Sequence, residues 1–177
     1  MVMERAIFMD RDGTLIKLVD TNGVLEPPRL PEQVEFHDYA VKFMKELQNI
    51  GYKLYIVSNQ PDIAKRKQTA EQVFAVRDRF KHMIDNHNIT ITRYYYCYHH
   101  PEGSHPIYSQ KCTCRKPAPG FILDARAQDH LDLDDSWIIG DLPKDIECGK
   151  NAGVRGILVG RNGVSLQRAY EMIMGWI

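Results

Sequence analysis

Two aspartates, Asp10 and Asp12, stand two residues apart and are followed at once by Gly13 and Thr14. Carboxylates this close repel one another, so one is readily protonated unless a cation neutralises the pair. Such a pair can hold a divalent metal, attack an electrophile or relay a proton. The plainer alternative is an Asp pair that caps a loop. Further groups of the same kind recur along the chain. Ser58-Asn59-Gln60 follows an apolar run. A small hydroxyl with backbone N–H groups behind it suits phosphate oxygens, although a simple turn would read much the same. Arg115-Lys116 offers a fork and a point charge for an anion. Asp141 can meet Asp10 and share a Mg²⁺, which prefers carboxylates, phosphate oxygens and water. Asp145 can bind through water, orient Lys116, or simply be an acid favoured at a helix start.

A second constellation has a different chemistry. Cys97-x-His99 is followed, after twelve residues, by Cys112-x-Cys114. Three thiols and one imidazole make a closed tetrahedral set, which fits a structural zinc with no place left for a reactive water. Such a zinc would brace a loop of little secondary structure and fix Arg115 and Lys116 beside it. His100 and His105 are alternative nitrogen ligands, both expected outside the set. The fourth thiol, Cys148, falls in a helical stretch and reads as a core residue.

The elements that must carry these groups follow from periodicity. Ala6–Met9, Tyr52–Val57, Tyr94–Tyr96, Trp137–Gly140 and Gly156–Val159 are short apolar or aromatic runs of the kind buried in parallel sheets. Between them lie helical patterns. One starts after Asp38 as N-cap and ends at Gly51, and one opens on the Thr69/Gln72 capping box and runs to His87. Others span Gly120 to Gln128, the segment from Asp145 to Gly153, and Leu166 to Ile177. Strand alternating with helix predicts an α/β, doubly wound parallel sheet in a single domain over residues 1–177. The aspartates and Ser58 then sit at strand tips on the carboxyl edge, where open α/β sheets bind ligands. Leu15–His37 is expected to be a long loop walling that edge. Lys65-Arg66-Lys67 reads as a solvated loop or helix face or as an attractor for a phosphorylated substrate, and Asp129–Asp135 as an acidic loop.

Composition sets the limits. The chain has 177 residues, 44% apolar and 26% charged, with a formal net charge of zero. That gives no overall attraction to nucleic acid or an anionic membrane. No apolar run approaches the roughly 20 residues of a membrane span. The first strand begins within a few residues of Met1, so no signal peptide is expected, and a cytoplasmic monomer is the expectation.

The stretch from Asp10 to Thr14 resembles the DxDGT signature of the haloacid dehalogenase (HAD) superfamily of phosphohydrolases. Its motifs recur in order as Asp10-x-Asp12, Ser58, Lys116, and Gly140-Asp141 with Asp145. The segment YYCYHHP…CTCRKPAPG is similar to YYCPHHP…CxCRKPxPG of the D-glycero-D-manno-heptose 1,7-bisphosphate phosphatases and the related histidinol-phosphate phosphatases. The likeness spans roughly residues 4 to 163. It implies a Rossmann-like, capless fold with a zinc-braced loop. It implies Asp10 as nucleophile, Asp12 as general acid/base, and Ser58 and Lys116 as partners of the phosphoryl group. Mg²⁺ would lie on Asp10, Asp141 and the Asp12 main-chain carbonyl, and Zn²⁺ on Cys97, His99, Cys112 and Cys114. Asn59 and Arg115 would orient a small phosphorylated sugar or histidinol phosphate. A nucleic-acid 3′-phosphatase and a zinc-stabilised binding module without catalysis are the competing expectations. The chain departs from the subfamily pattern at two places: Pro61-Asp62 stands where Ser-Gly is usual, and Leu142 stands where Lys is common.

Overall fold

The computed structural model describes residues 3–176. Its main sheet contains β1 (Glu4–Met9), β4 (Lys53–Asn59), β5 (Ile91–Cys97), β6 (Leu131–Gly140) and β7 (Arg155–Leu158), all parallel and in the order β5-β4-β1-β6-β7. Because β1 is central, its last residue, Met9, pairs with Ile56 on one side and Ile139 on the other. The residues just beyond these positions on three neighbouring strands therefore meet at one edge. This is the fold class expected from the sequence.

Side-chain alternation along β1 splits the core in two. Ile7 and Met9 join Leu54, Ile56 and Ile139 on one face. There they meet α1 (Ala40–Asn49), α2 (Ala70–Asn86) and α5 (Leu166–Met174) through Phe43, Leu47, Phe80, Ile84 and Ile173. Ala6 and Phe8 join Tyr55, Val57 and Ile138 on the other face. They are covered by Ile122 and Ala125 of α3 (Gly120–Asp129) and Cys148 of α4 (Pro143–Ala152). Cys148 is buried there as expected. The Thr69/Gln72 capping box forms at the start of α2.

Several expectations are corrected. Asp38 does not cap α1: its side chain is fully exposed, and Tyr39, in a left-handed conformation with φ 70°, occupies the N-cap. The acidic segment before Trp137 is not a loop, because β6 already begins at Leu131. Leu131 and Leu133 are buried between outward aspartates, and Glu4 and Arg5 pair with Leu131 and Asp132. A register shift follows, and there Ser136 Oγ accepts a hydrogen bond from Ala6 N. Leu15–His37 is not plain loop either. It contains an antiparallel hairpin, β2 (Val19–Thr21) and β3 (Val24–Glu26), turned by Asn22 and Gly23, both at positive φ. Tyr94–Tyr96 is the middle of a longer edge strand, β5. The end of the last helical pattern, Ile177, lies outside the described residues.

Candidate active site

The parallel sheet delivers Asp10 from the tip of β1, Asp141 from the tip of β6 and Asp145 from the first turn of α4. One carboxylate oxygen from each lies within 4.8 Å of the other two. Into this group runs Lys116, itself buried. Its ammonium stands 2.7 Å from Asp10 Oδ1, 2.7 Å from Asp145 Oδ1 and 2.6 Å from the Val57 carbonyl oxygen. Three carboxylates against one ammonium leave an excess of negative charge. Burial and the neighbouring carboxylates of Asp10 and Asp145 push Asp141 up to about 6. Burial, with Asp10 next, also raises Asp145, although Lys116 opposes it. For Lys116 burial disfavours the charge, but Asp10 and Asp145 outweigh it and hold the ammonium above its ordinary range. A small hard divalent cation fits this donor set and this charge.

The backbone is shaped to the same end. Gly13 adopts φ +80°, and a Cβ there would stand 2.3 Å from Asp141 Oδ2. Thr14 Oγ1 donates to Asp141 Oδ1 at 3.2 Å. At Gly140 a Cβ would stand 2.3 Å from the Asp145 Cβ. The Asp145 carboxylate also accepts from Leu142 N, closing the first turn of α4. Asp145 thus meets two of the three readings its position offers, standing both at the helix start and against Lys116.

Asp12 sits apart from this group. Its carboxylate accepts Arg11 Nε at 2.9 Å on Oδ1, and Arg11 Nη2 at 3.0 Å and Gln60 Nε2 at 2.6 Å on Oδ2. Gln60 Nε2 also lies 3.0 Å from Ser58 Oγ, and Gln60 Oε1 accepts Arg11 Nη2 at 2.9 Å. Gln60 and Thr14 entered the sequence reading only as members of the Ser58-Asn59-Gln60 and Asp10–Thr14 stretches, and Arg11 was given no role. A charged residue between two aspartates reads as solvent-facing, yet Arg11 is only 1% exposed.

The other expected residues are also located. Asn59 uses both ends of its amide on the Lys116 main chain: Nδ2 donates to the carbonyl and Oδ1 accepts from the N–H, each at 3.0 Å. Arg115 is half-buried, and its Nη1 donates to the His99 carbonyl at 3.2 Å. Lys65, Arg66 and Lys67 lie exposed on the turn after β4, and Arg66 donates to Ser104 O. The hairpin side of the loop walls a cavity of about 410 Å³, where Lys17, Leu18, Leu25 and His37 face Asp141 and Leu142.

Beyond β5, Cys97, His99, Cys112 and Cys114 place their ligand atoms within 4.8 Å of one another. Their sulfurs are 3.3–3.6 Å apart, and His99 Nδ1 lies 3.5 Å from Cys114 Sγ and 3.9 Å from Cys97 Sγ. These are open thiols rather than a disulfide. The spacings approach the edges of a tetrahedron built on metal–sulfur bonds of about 2.3 Å, so the set fits Zn²⁺. His100 and His105 fall outside the group, and their Nδ1 atoms accept backbone N–H bonds from Glu102 and Ile107.

Comparison with known proteins bears on this geometry. A HAD-hydrolase-like family model matches residues 113–172, which include Lys116, Asp141 and Asp145. The D-glycero-β-D-manno-heptose-1,7-bisphosphate 7-phosphatase of Salmonella typhi is 34% identical over 172 residues, covering 97% of this chain and 88% of that one. Among solved structures, a putative HAD-like phosphatase from Mesorhizobium loti superimposes with a TM-score of 0.80 at 26% identity, over 98% of this chain and 87% of that one. The D,D-heptose 1,7-bisphosphate phosphatase from B. bronchiseptica, complexed with magnesium and phosphate, gives a TM-score of 0.77 at 19% identity, over 98% and 99% of the two chains. Shared sequence over nearly its whole length, together with this fold, shows that the chain belongs to the D-glycero-β-D-manno-heptose-1,7-bisphosphate 7-phosphatase family of HAD-like hydrolases.

Proposed function

We propose that the chain hydrolyses a phosphate monoester through an aspartyl-phosphate on Asp10, and that its substrate is D-glycero-β-D-manno-heptose 1,7-bisphosphate, cleaved at the 7-phosphate. One observation carries the chemistry: the buried Lys116 ammonium touches Asp10 Oδ1 at 2.7 Å. A cation held there lets a phosphate approach a carboxylate it would otherwise repel. The substrate follows from family membership at 34% identity.

Mg²⁺ would be held by the carboxylates of Asp10 and Asp141 and the Asp12 main-chain carbonyl, and when bound it neutralises charge between nucleophile and phosphate. Lys116 and Ser58 bind phosphoryl oxygens, and Asp145 keeps Lys116 aimed. Asp10 attacks phosphorus in line with the departing oxygen. Asp12 protonates that oxygen, then takes a proton from the water that hydrolyses the aspartyl-phosphate. Arg115 orients the sugar. Asn59 acts through the Lys116 main chain, which its amide grips on both sides. Cys97, His99, Cys112 and Cys114 would hold a structural Zn²⁺ that fixes the chain entering Arg115 and Lys116.

Phosphate release tests the reading, with both anomers of the heptose bisphosphate and histidinol phosphate run in parallel, each with Mg²⁺ and with EDTA. The expected result is EDTA-sensitive turnover, fastest on the β-anomer, and none from a folded Asp10→Asn variant. Faster turnover of histidinol phosphate would reassign the substrate. Substantial activity in Asp10→Asn would remove Asp10 as nucleophile.

A further inference from the structure

We propose that Arg11 and Gln60 form a clamp that sets where the Asp12 carboxylate stands and thereby directs proton delivery to the leaving group. The proposal rests on the acid/base role given to Asp12 above. Its basis is the contrast between the two aspartates. Asp10 receives a point charge on one oxygen, from Lys116 on Oδ1. Asp12 receives the Arg11 guanidinium in a two-pronged grip on both oxygens and the Gln60 amide on Oδ2. All three clamp residues are buried, with Arg11 at 1% and Gln60 and Asp12 at 9% exposure.

Arg11 is turned back onto its own neighbour because Gln60 Oε1 accepts its Nη2 and the Tyr96 ring lies 5.7 Å from its guanidinium carbon. Gln60 in turn is anchored on Ser58 Oγ. The clamp therefore ties Asp12 to β4 and β5, away from the Asp10–Asp141–Asp145 group. Arg11 is too enclosed to touch a substrate, so it is a positioning residue.

Lone pairs locate the reactive atom. A carboxylate has about four acceptor sites. Oδ2 of Asp12 is taken by two donors and Oδ1 by one. Oδ1 is thus the oxygen with room for a transferable proton. That proton passes from Asp12 Oδ1 to the ester oxygen as the P–O bond breaks and the Asp10–phosphorus bond forms. A second proton passes from water to Oδ1 as the water oxygen bonds phosphorus and Asp10 departs. Because the clamp fixes the opposite oxygen, Oδ1 keeps one location through both steps.

The test is first-turnover release of two leaving groups by rapid quench, in the Mg²⁺-loaded protein. The heptose bisphosphate leaves an alkoxide, which needs the proton. Para-nitrophenyl phosphate leaves a stabilised phenolate, which does not. Gln60→Leu and Arg11→Lys should each slow alkoxide release roughly 10- to 100-fold, the scale of a misplaced general acid. Release of the phenolate should change by less than about threefold, since no acid catalysis is lost there. Asp12→Asn, as reference, should show the same selectivity. Equal losses on both substrates would overturn the clamp, because disturbance of Ser58 or of general packing strikes both alike. If Asp12→Asn itself showed equal losses, the acid/base assignment would fall instead. Should Arg11→Lys fail to fold, Gln60→Leu, checked by its melting curve, decides alone.

Discussion

Gly13 shows how a single residue can serve backbone and chemistry together. Its φ of +80° is one that L side chains rarely adopt, and the space a Cβ would need is held by the Asp141 carboxylate. Gly13→Ala should therefore cost about 1–2 kcal/mol of stability from the left-handed backbone alone. It should also displace Asp141 from Thr14 and Asp10. The expected signature is a Mg²⁺ affinity reduced by roughly a factor of ten, the worth of a charge contact of about 1.4 kcal/mol, measured by titration calorimetry. A variant with full Mg²⁺ affinity would show that the close approach is not functional. Lys116 makes the complementary point with a charge. Its position between Asp10 and Asp145 is what permits carboxylates this enclosed to coexist.

Among the elements, the segment from Cys97 to Cys114 stands out for having little hydrogen-bonded secondary structure beyond the end of β5. If Zn²⁺ supplies what the backbone does not, then a strong chelator or Cys112→Ser should expose residues 98–111 to proteolysis. The five-stranded sheet should survive, because neither core cluster draws on this loop. Limited digestion read by mass spectrometry, beside far-ultraviolet circular dichroism, checks both halves. Unchanged protease resistance without zinc would defeat the structural role. The grouping of Cys97, His99, Cys112 and Cys114 was legible in sequence, because metal coordination needs particular residue types at close spacing, and the fold brings the four side chains together. The apolar runs of β1, β4 and β6 that lead to Asp10, Ser58 and Asp141 were legible too. The first half of β6 was not, since Asp132, Asp134 and Asp135 disguise a strand of which Leu131 and Leu133 are the buried register. The hairpin had a cue, Asn22-Gly23, obscured by the prolines that follow it. The pairing of Arg11 with Gln60 could not be read from sequence. Their meaning lies in a contact across 49 residues that only the finished sheet creates.

At the scale of the whole molecule, a chain of zero formal charge concentrates negative charge at one sheet edge. Asp141 is held near 6 against an ordinary 3.8, so the folded chain binds this proton more tightly than the unfolded chain does. The group therefore favours folding below its ordinary value, and that contribution is lost as the pH rises through about 6. In metal-free urea melts, wild-type stability relative to Asp141→Asn should fall across that window. Added Mg²⁺ should restore it most strongly above the upper limit. A pH-independent difference would mean that the carboxylates do not crowd as described.

The two hydrogen bonds between Asn59 and the Lys116 main chain have a consequence for how such an enzyme diversifies. They staple together two points 57 residues apart in sequence, so the intervening chain leaves and returns to the same place. Within it α2 and β5 belong to the core and the sheet, whereas the basic turn and the loop of residues 98–111 lie outside both core clusters, so these two segments can be exchanged while Asp10 and Lys116 stay in register. New specificities in this scaffold would then arise by replacing these segments between two fixed stitches, without retuning the reaction itself.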